Sequence, residues 1–364
     1  MSRALVNAPA PIRAAARTAT FFLKVLPMLP SGPVDRLTAA PVIEKVRYPT
    51  RGGDAEGDLY RPPGPGPHPG MLVCLGVVPF EVDHPQVPIL GRALARSGFA
   101  ALLYWSPAMR SFLLEPEDVE DIAFAYRWLT ERADVDPRRS GLLGTCVGGS
   151  FALMAAASPL VRERVAFVAE WAAYSSMWTF AQDIASATRP AGDSREPWQV
   201  DPLTRKVYVH SVTALLQTAE AELLRAALAE RTGRIDVGTL SADGRAIYPL
   251  LTALDADGAE QALDQLSAEL RERLDALSPI GYLKDIRAPL IVIAHDRDDA
   301  VIPVAESRQL SSALAGRSGV HYTELGMFQH MDPTKKRVTP LVMVRELAKF
   351  YQLVYPVFRQ AVRG

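Results

Sequence analysis

One stretch, Gly141-Leu142-Leu143-Gly144-Thr145-Cys146-Val147-Gly148-Gly149, limits the architecture of this chain more than any other. An apolar run leads into it, and a helix-forming run, Ser150-Phe151-Ala152-Leu153-Met154-Ala155, leads out. A strand that turns straight into a helix leaves almost no room for side chains two positions before and after the apex. Gly144 and Gly148 meet that demand and put Cys146 at the apex. The spacing predicts a thiol at a helix N-terminus, where free N–H groups and the helix dipole favour an anion. The bland alternative is a small buried cysteine in a turn.

Strands and helices alternate around this turn. Apolar runs at 71–75, 100–104, 165–169, 290–294 and 321–325 read as buried strands, and residues 89–96 and 118–132 as helices between them. A helix over 340–358 closes the chain. Buried strands separated by helices predict an α/β fold, with a mainly parallel sheet covered on both faces. From 171 to 277 the alternation stops. Leucine stripes (Val212, Leu216, Ala219, Leu223; then Leu263, Leu266, Leu270, Leu274, Leu277) predict an inserted helical cap that uses them as a packing face. The sheet pattern is expected to resume at 278–280. Four parts follow: an N-terminal helical extension 1–40, a core 41–170, the cap 171–277, and the rest of the core 278–364.

At the N-terminus Ile12, Ala16, Ala19, Leu23 and Leu26 recur at helical spacing beside a stripe of Arg13, Arg17, Thr20 and Lys24. Packing on the body of the protein is expected; peripheral membrane contact through residues 10–28 is the other reading. The 364 residues are 48% hydrophobic with a net charge of −1, enough for a large core and without the basic excess of a nucleic-acid partner. Two cysteines imply no disulfide framework and point to a reducing, cytoplasmic compartment; Cys74 reads as a buried strand residue. The six histidines show no paired ligand spacing, so no metal is expected, and no dinucleotide or phosphate-loop motif asks for a cofactor.

A thiol nucleophile needs a base, and the base an orienting acid, from loops at the carboxyl ends of later strands. The strand at 290–294 ends in His295-Asp296-Arg297-Asp298-Asp299-Ala300-Val301-Ile302-Pro303. The last strand ends in Gly326-Met327-Phe328-Gln329-His330. The chain order is nucleophile, acid, histidine.

With these residues the chain resembles the alpha/beta hydrolases over residues 41–170 and 278–364. Its Gly-x-Cys-x-Gly-Gly turn is similar to that of the dienelactone hydrolase family. Asp299, followed by Ala-Val-Ile-Pro, matches that family's acid, with Asp298 and then Asp296 behind it. His330 matches the base, with His321 as the lesser candidate. That family carries a glutamate just after the third strand; Leu75-Gly76-Val77-Val78-Pro79 has none there. The polyhydroxyalkanoate synthases share the cysteine turn and a large cap, but usually show Asp-Trp-Gly where this chain has Tyr104-Trp105-Ser106. The resemblance implies a small-molecule ester, thioester or lactone substrate. It implies an oxyanion hole of the Val147 N–H and one from Val77 or Val78. Phe80, Trp105, Trp171 and Met327 lie near strand ends as candidate acyl-pocket residues. Acyl transfer, or binding without catalysis, is the alternative.

Overall fold

The computed structural model describes residues 8–26, 28–29, 32–77, 86–228, 235–330 and 338–363. Helix α1 (Ala10–Val25) and the short α2 (Gly32–Leu37) precede a hairpin of β1 (Val42–Thr50) and β2 (Gly53–Arg61). The alternating part follows: β3 (His68–Cys74), α3 (Gln86–Arg96), β4 (Ala100–Tyr104), α4 (Pro107–Arg110), α5 (Asp118–Glu131), β5 (Val135–Thr145), α6 (Val147–Ala157) and β6 (Phe167–Trp171). A helical segment comes next, with α7 (Met177–Ser186), the hairpin β7 (Thr188–Ala191) and β8 (Ser194–Pro197), α8 (Pro202–Val212), α9 (Thr218–Leu228), α10 (Ala242–Leu251), α11 (Ala256–Asp264) and α12 (Ala268–Ala276). The chain then returns through β9 (Ile291–Asp296), α13 (Val304–Ala313), β10 (Val320–Leu325) and α14 (Pro340–Ala361).

Eight strands form one sheet in the order β1-β2-β4-β3-β5-β6-β9-β10. The pairs β1/β2 and β2/β4 are antiparallel and the rest parallel. Successive strand residues point to opposite faces. Leu72, Cys74, Leu102, Leu142 and Val168 join the core with α5 and α6, while Met71, Val73, Ala101, Leu103 and Ala169 join a second core with α1, α3 and α14. All eleven residues of α6 are buried, as expected of a helix apolar on every side.

Three expectations change in detail. The 278–280 stretch is a short 3₁₀ turn, Pro279–Gly281, and the sheet resumes only at Ile291. The leucine stripes are each split between elements: the first because α8 ends at Val212 and α9 starts at Thr218, the second because Ser267 caps α12 and restarts the helix. The second stripe is nonetheless buried throughout. On α1 the buried face is Ala14, Thr18, Phe21 and Phe22, not the stripe through Ile12, which is 54% exposed. Ring packing decides this: Phe22 lies against Phe350 and Tyr351, and Phe21 against Phe358. Arg13 donates to the Val362 carbonyl at 3.0 Å, and burial lowers the Arg17 pKa to about 10, so half of the basic stripe serves packing on the body. Among the described residues no helix is long and apolar enough to cross a membrane.

Candidate active site

The turn after β5 is as tight as its glycines require. Cys146 has φ 55° and ψ −140°, a conformation costly for any residue with a side chain. Its N–H donates to the Trp171 carbonyl at 2.8 Å and its carbonyl accepts from Gly149 at 2.9 Å, which hold that strain in place. A Cβ on Gly144 would stand 2.4 Å from the Gly148 carbonyl oxygen and 2.4 Å from the Gly149 Cα, both backbone. Gly144→Ala is therefore expected to cost about 3 kcal/mol or to prevent folding. Gly52→Ala, where nothing lies within 4 Å, serves as the neutral control. Urea unfolding of both variants is the measurement, and equal midpoints would refute the close approach.

The acid loop after β9 is assembled around Asp299, which is fully buried. Its Oδ1 accepts the N–H groups of Val301 (2.7 Å) and Ile302 (3.0 Å), and its Oδ2 lies 2.8 Å from His330 Nδ1. The imidazole lines the same cavity as Cys146. Burial alone would favour the neutral imidazole. Attraction to Cys146 and Asp299, with the hydrogen bond to Asp299, outweighs it and holds the His330 pKa well above the ordinary value. Burial likewise pushes the Asp299 carboxyl up, but His330 and then His295 bring it below the usual carboxylate range. The structure thus brings Cys146, His330 and Asp299 together at the carboxyl ends of β5, β9 and β10.

The other candidates for acid and base stand elsewhere. Asp298 and His321 are exposed. Asp296 is buried but joins two loops, accepting Asp298 N–H at 3.0 Å and Phe328 N–H at 2.6 Å. Val147 begins α6, so its N–H is one of those without an intrahelical acceptor. Val77 lines the same cavity as Cys146. Its loop lies against the turn, since a Cβ on Gly76 (φ 71°) would meet the Thr145 carbonyl oxygen at 2.7 Å. Val78 and Phe80 lie outside the described residues.

The remaining cavity candidates are placed differently from the sequence expectation. Trp105, Trp171 and Met327 pack with the core of α1, α3 and α14, behind the sheet. Strand alternation sends Trp171 to the face opposite Glu170, and the wall they were assigned is built by the helical segment instead. A cavity of about 410 Å³ opens on Cys146, Val147, Val77 and His330 and runs beneath α7, α8, α10 and α12. Trp171 still serves the site, because its indole N–H donates to the His330 carbonyl while its ring packs on Phe328 and Phe350. That bond supports a left-handed stretch at Gln329 (φ 39°) and His330 (φ 69°).

Two further features escaped the sequence reading. His295 is buried on the other side of Asp299, its Nε2 3.5 Å from Oδ2. A carbonyl only accepts, so the 2.9 Å contact to Ile302 O puts the proton on Nε2, and Nδ1 accepts from the Ser307 hydroxyl at 2.6 Å. Burial lowers its pKa and keeps it neutral. The helical segment also grips the acid loop directly. Arg189 donates to the Asp299 carbonyl (3.5 Å), Trp198 to that of Ala300 (3.1 Å) and Thr204 to that of Val301 (3.2 Å). Sequence order hides both: the first depends on how the loop after β9 folds on itself, and the second on which segments meet in space.

Glu170 sits beneath the turn, near Gly149, only 2% exposed. Its Oε2 accepts the Ala173 N–H at 2.9 Å, while Oε1 has no partner among the described residues. Burial pushes its pKa from 4.5 up to about 8. The unfolded chain loses this proton near pH 4.5 and the folded protein keeps it to about pH 8. Stability therefore falls as pH rises through that window, by roughly 1.4 kcal/mol per pH unit at most. Glu170→Gln is expected to remove this slope, gaining on the order of 3 kcal/mol over the wild type between pH 5 and pH 8. Denaturant unfolding at both values tests it; parallel pH profiles would refute the neutral carboxyl.

No protein-family model matches the chain. A probable 2-oxo-3-(5-oxofuran-2-ylidene)propanoate lactonase from a Bradyrhizobium species is 32% identical over 133 residues, which are 32% of this chain and 52% of that protein. The chain thus spans about half the length of the curated relative it matches. Among solved structures, an acylaminoacyl peptidase in complex with a chloromethyl ketone aligns with 92% of this chain and 44% of its own, at 15% identity and a TM-score of 0.54. A 2,6-dihydroxy-pseudo-oxynicotine hydrolase aligns with 96% of this chain and 80% of its own, at 15% identity and a TM-score of 0.52. With the mainly parallel sheet and the turn at Cys146, these likenesses identify the fold of the chain as that of the alpha/beta hydrolases.

Proposed function

We propose that the protein is a hydrolase of carboxylic esters, thioesters or lactones that works through a Cys146–His330–Asp299 triad and an acyl-thioester. The observation that carries this reading is the imidazole of His330, 2.8 Å from Asp299 and lining one cavity with Cys146. The lactonase relative supports the choice of bond. Residues 171–277 act as a cap.

In the first half, the Cys146 sulfur attacks the carbonyl carbon and a C–S bond forms. The oxyanion is held by the Val147 N–H and one N–H from the Val77–Val78 loop. The imidazolium of His330 gives its proton to the leaving oxygen as the C–O bond breaks. In the second half, His330 takes a proton from water, the hydroxide adds to the acyl carbon, and the C–S bond breaks. Asp299 fixes the tautomer of His330 and stabilises its charged form throughout.

Mass measurement after exposure to a panel of activated acyl esters tests the proposal. An adduct on Cys146 that accumulates in His330→Ala is expected. No adduct with any ester, together with slow reaction of Cys146 with iodoacetamide, would leave a binding protein of the same fold. Product analysis with an added alcohol separates hydrolysis from acyl transfer.

A further inference from the structure

We propose that the cavity above Cys146 is a pocket for an uncharged, aliphatic acyl group of roughly eight to twelve carbons, an inference that rests on the acyl-enzyme reading above. Size comes first. At about 30 Å³ per small group, the share of a water in its liquid, 410 Å³ holds on the order of a dozen non-hydrogen atoms. That is far more than an acetyl or propionyl group occupies, and it lies within the range of sites that bury most of their ligand.

Chemistry comes second. The apolar walls include Met177, Phe180 and Ile184 of α7, Val207 of α8, Leu250 of α10 and Leu270 of α12. The polar residues among them are mostly occupied. Asp201 caps α8 by accepting the Leu203 and Thr204 N–H groups (2.9 and 3.2 Å), and the Thr204 hydroxyl is turned to Val301 O. Ser211 donates to Val207 O at 2.7 Å and accepts from Leu114 N–H at 3.0 Å. Arg273 has a partnerless Nε, but its charge is matched: Nη2 pairs with Glu115 at 2.8 Å and donates to Leu114 O at 2.7 Å. His330 is committed to Asp299 and Cys146. Among the described lining residues no cation is therefore left unmatched to receive a carboxylate, and burying an unpaired one is costly. A hydrocarbon loses nothing in such a pocket, and each methylene placed there raises kcat/KM about fourfold.

The test uses the wild-type protein with p-nitrophenyl acetate, butyrate and octanoate, and with the mono-p-nitrophenyl ester of suberic acid, which has eight carbons and a terminal carboxylate. We expect kcat/KM for octanoate about 250-fold above butyrate, and the suberate ester at least about 100-fold below octanoate. Leu250→Trp, which narrows the cavity, is expected to lower the octanoate-to-acetate ratio at least tenfold; the wild-type series decides if that variant does not fold. A flat or falling series, or a suberate ester as good as octanoate, overturns the pocket assignment. Cys146→Ala run beside it separates the two claims. If it is inactive while the wild-type series is flat, only the pocket assignment fails. If it hydrolyses acetate at the wild-type rate, the acyl-enzyme reading fails first.

Discussion

Replacing Cys146 with alanine is expected to lower turnover of an activated ester by about 10,000-fold or more and to abolish the acyl adduct. The size follows from what the residue does in the proposed reaction. Without sulfur no covalent intermediate forms, and water must attack with only the oxyanion donors to help. The substitution removes one atom from a residue that is 8% exposed and opens on a cavity, so the fold has little to lose. Steady-state kinetics and adduct mass read the effect, with an unfolding curve as the control for folding. An alanine protein that turns over at the wild-type rate would end the nucleophile assignment.

Asp299→Asn is expected to cost about 10,000-fold in kcat. The Asp299 Oδ1 is held by two N–H groups, from Val301 and Ile302, so the asparagine carbonyl must take that place. Its amide nitrogen then faces His330 Nδ1, now 2.8 Å from a carboxylate oxygen. Two donors cannot share that contact. The imidazole proton moves to Nε2, and the base presents the wrong nitrogen to Cys146. The same amide meets the Nε2–H of His295, 3.5 Å from Oδ2 in the native acid loop. Asp298→Asn, on an exposed neighbour, is the control. Equal losses in the two variants, or no loss at position 299, would remove Asp299 from the reaction.

The turn at Cys146 was legible because its constraint is local. A strand, two spaced glycines and an apolar helix specify the geometry within nine residues, and φ 55° at Cys146 matches that pattern. Placing an acid after β9 and a histidine after β10 was legible for a related reason, since a parallel sheet sends every strand's carboxyl end to one rim. Among Asp296, Asp298 and Asp299 the pattern HDRDD alone could not decide. What separates Asp299 from its neighbours is the 2.8 Å contact of its Oδ2 with His330 Nδ1, its Oδ1 being held by N–H groups two and three residues further on.

Sequence alone determined the fold class, the apex cysteine and the order of the groups around it, because strand and helix periods and tight-turn sterics act between near neighbours. Tertiary structure alone decided which face of α1 is buried, that Trp171 supports His330 from behind the sheet, that His295 flanks Asp299, and that leucines of α10 and α12 wall the cavity. Apart from the His295–Asp299 pair, which the folding of one loop brings together, those outcomes depend on contacts between residues a hundred or more positions apart. An apolar period announces that a face will be covered and carries no information about what covers it.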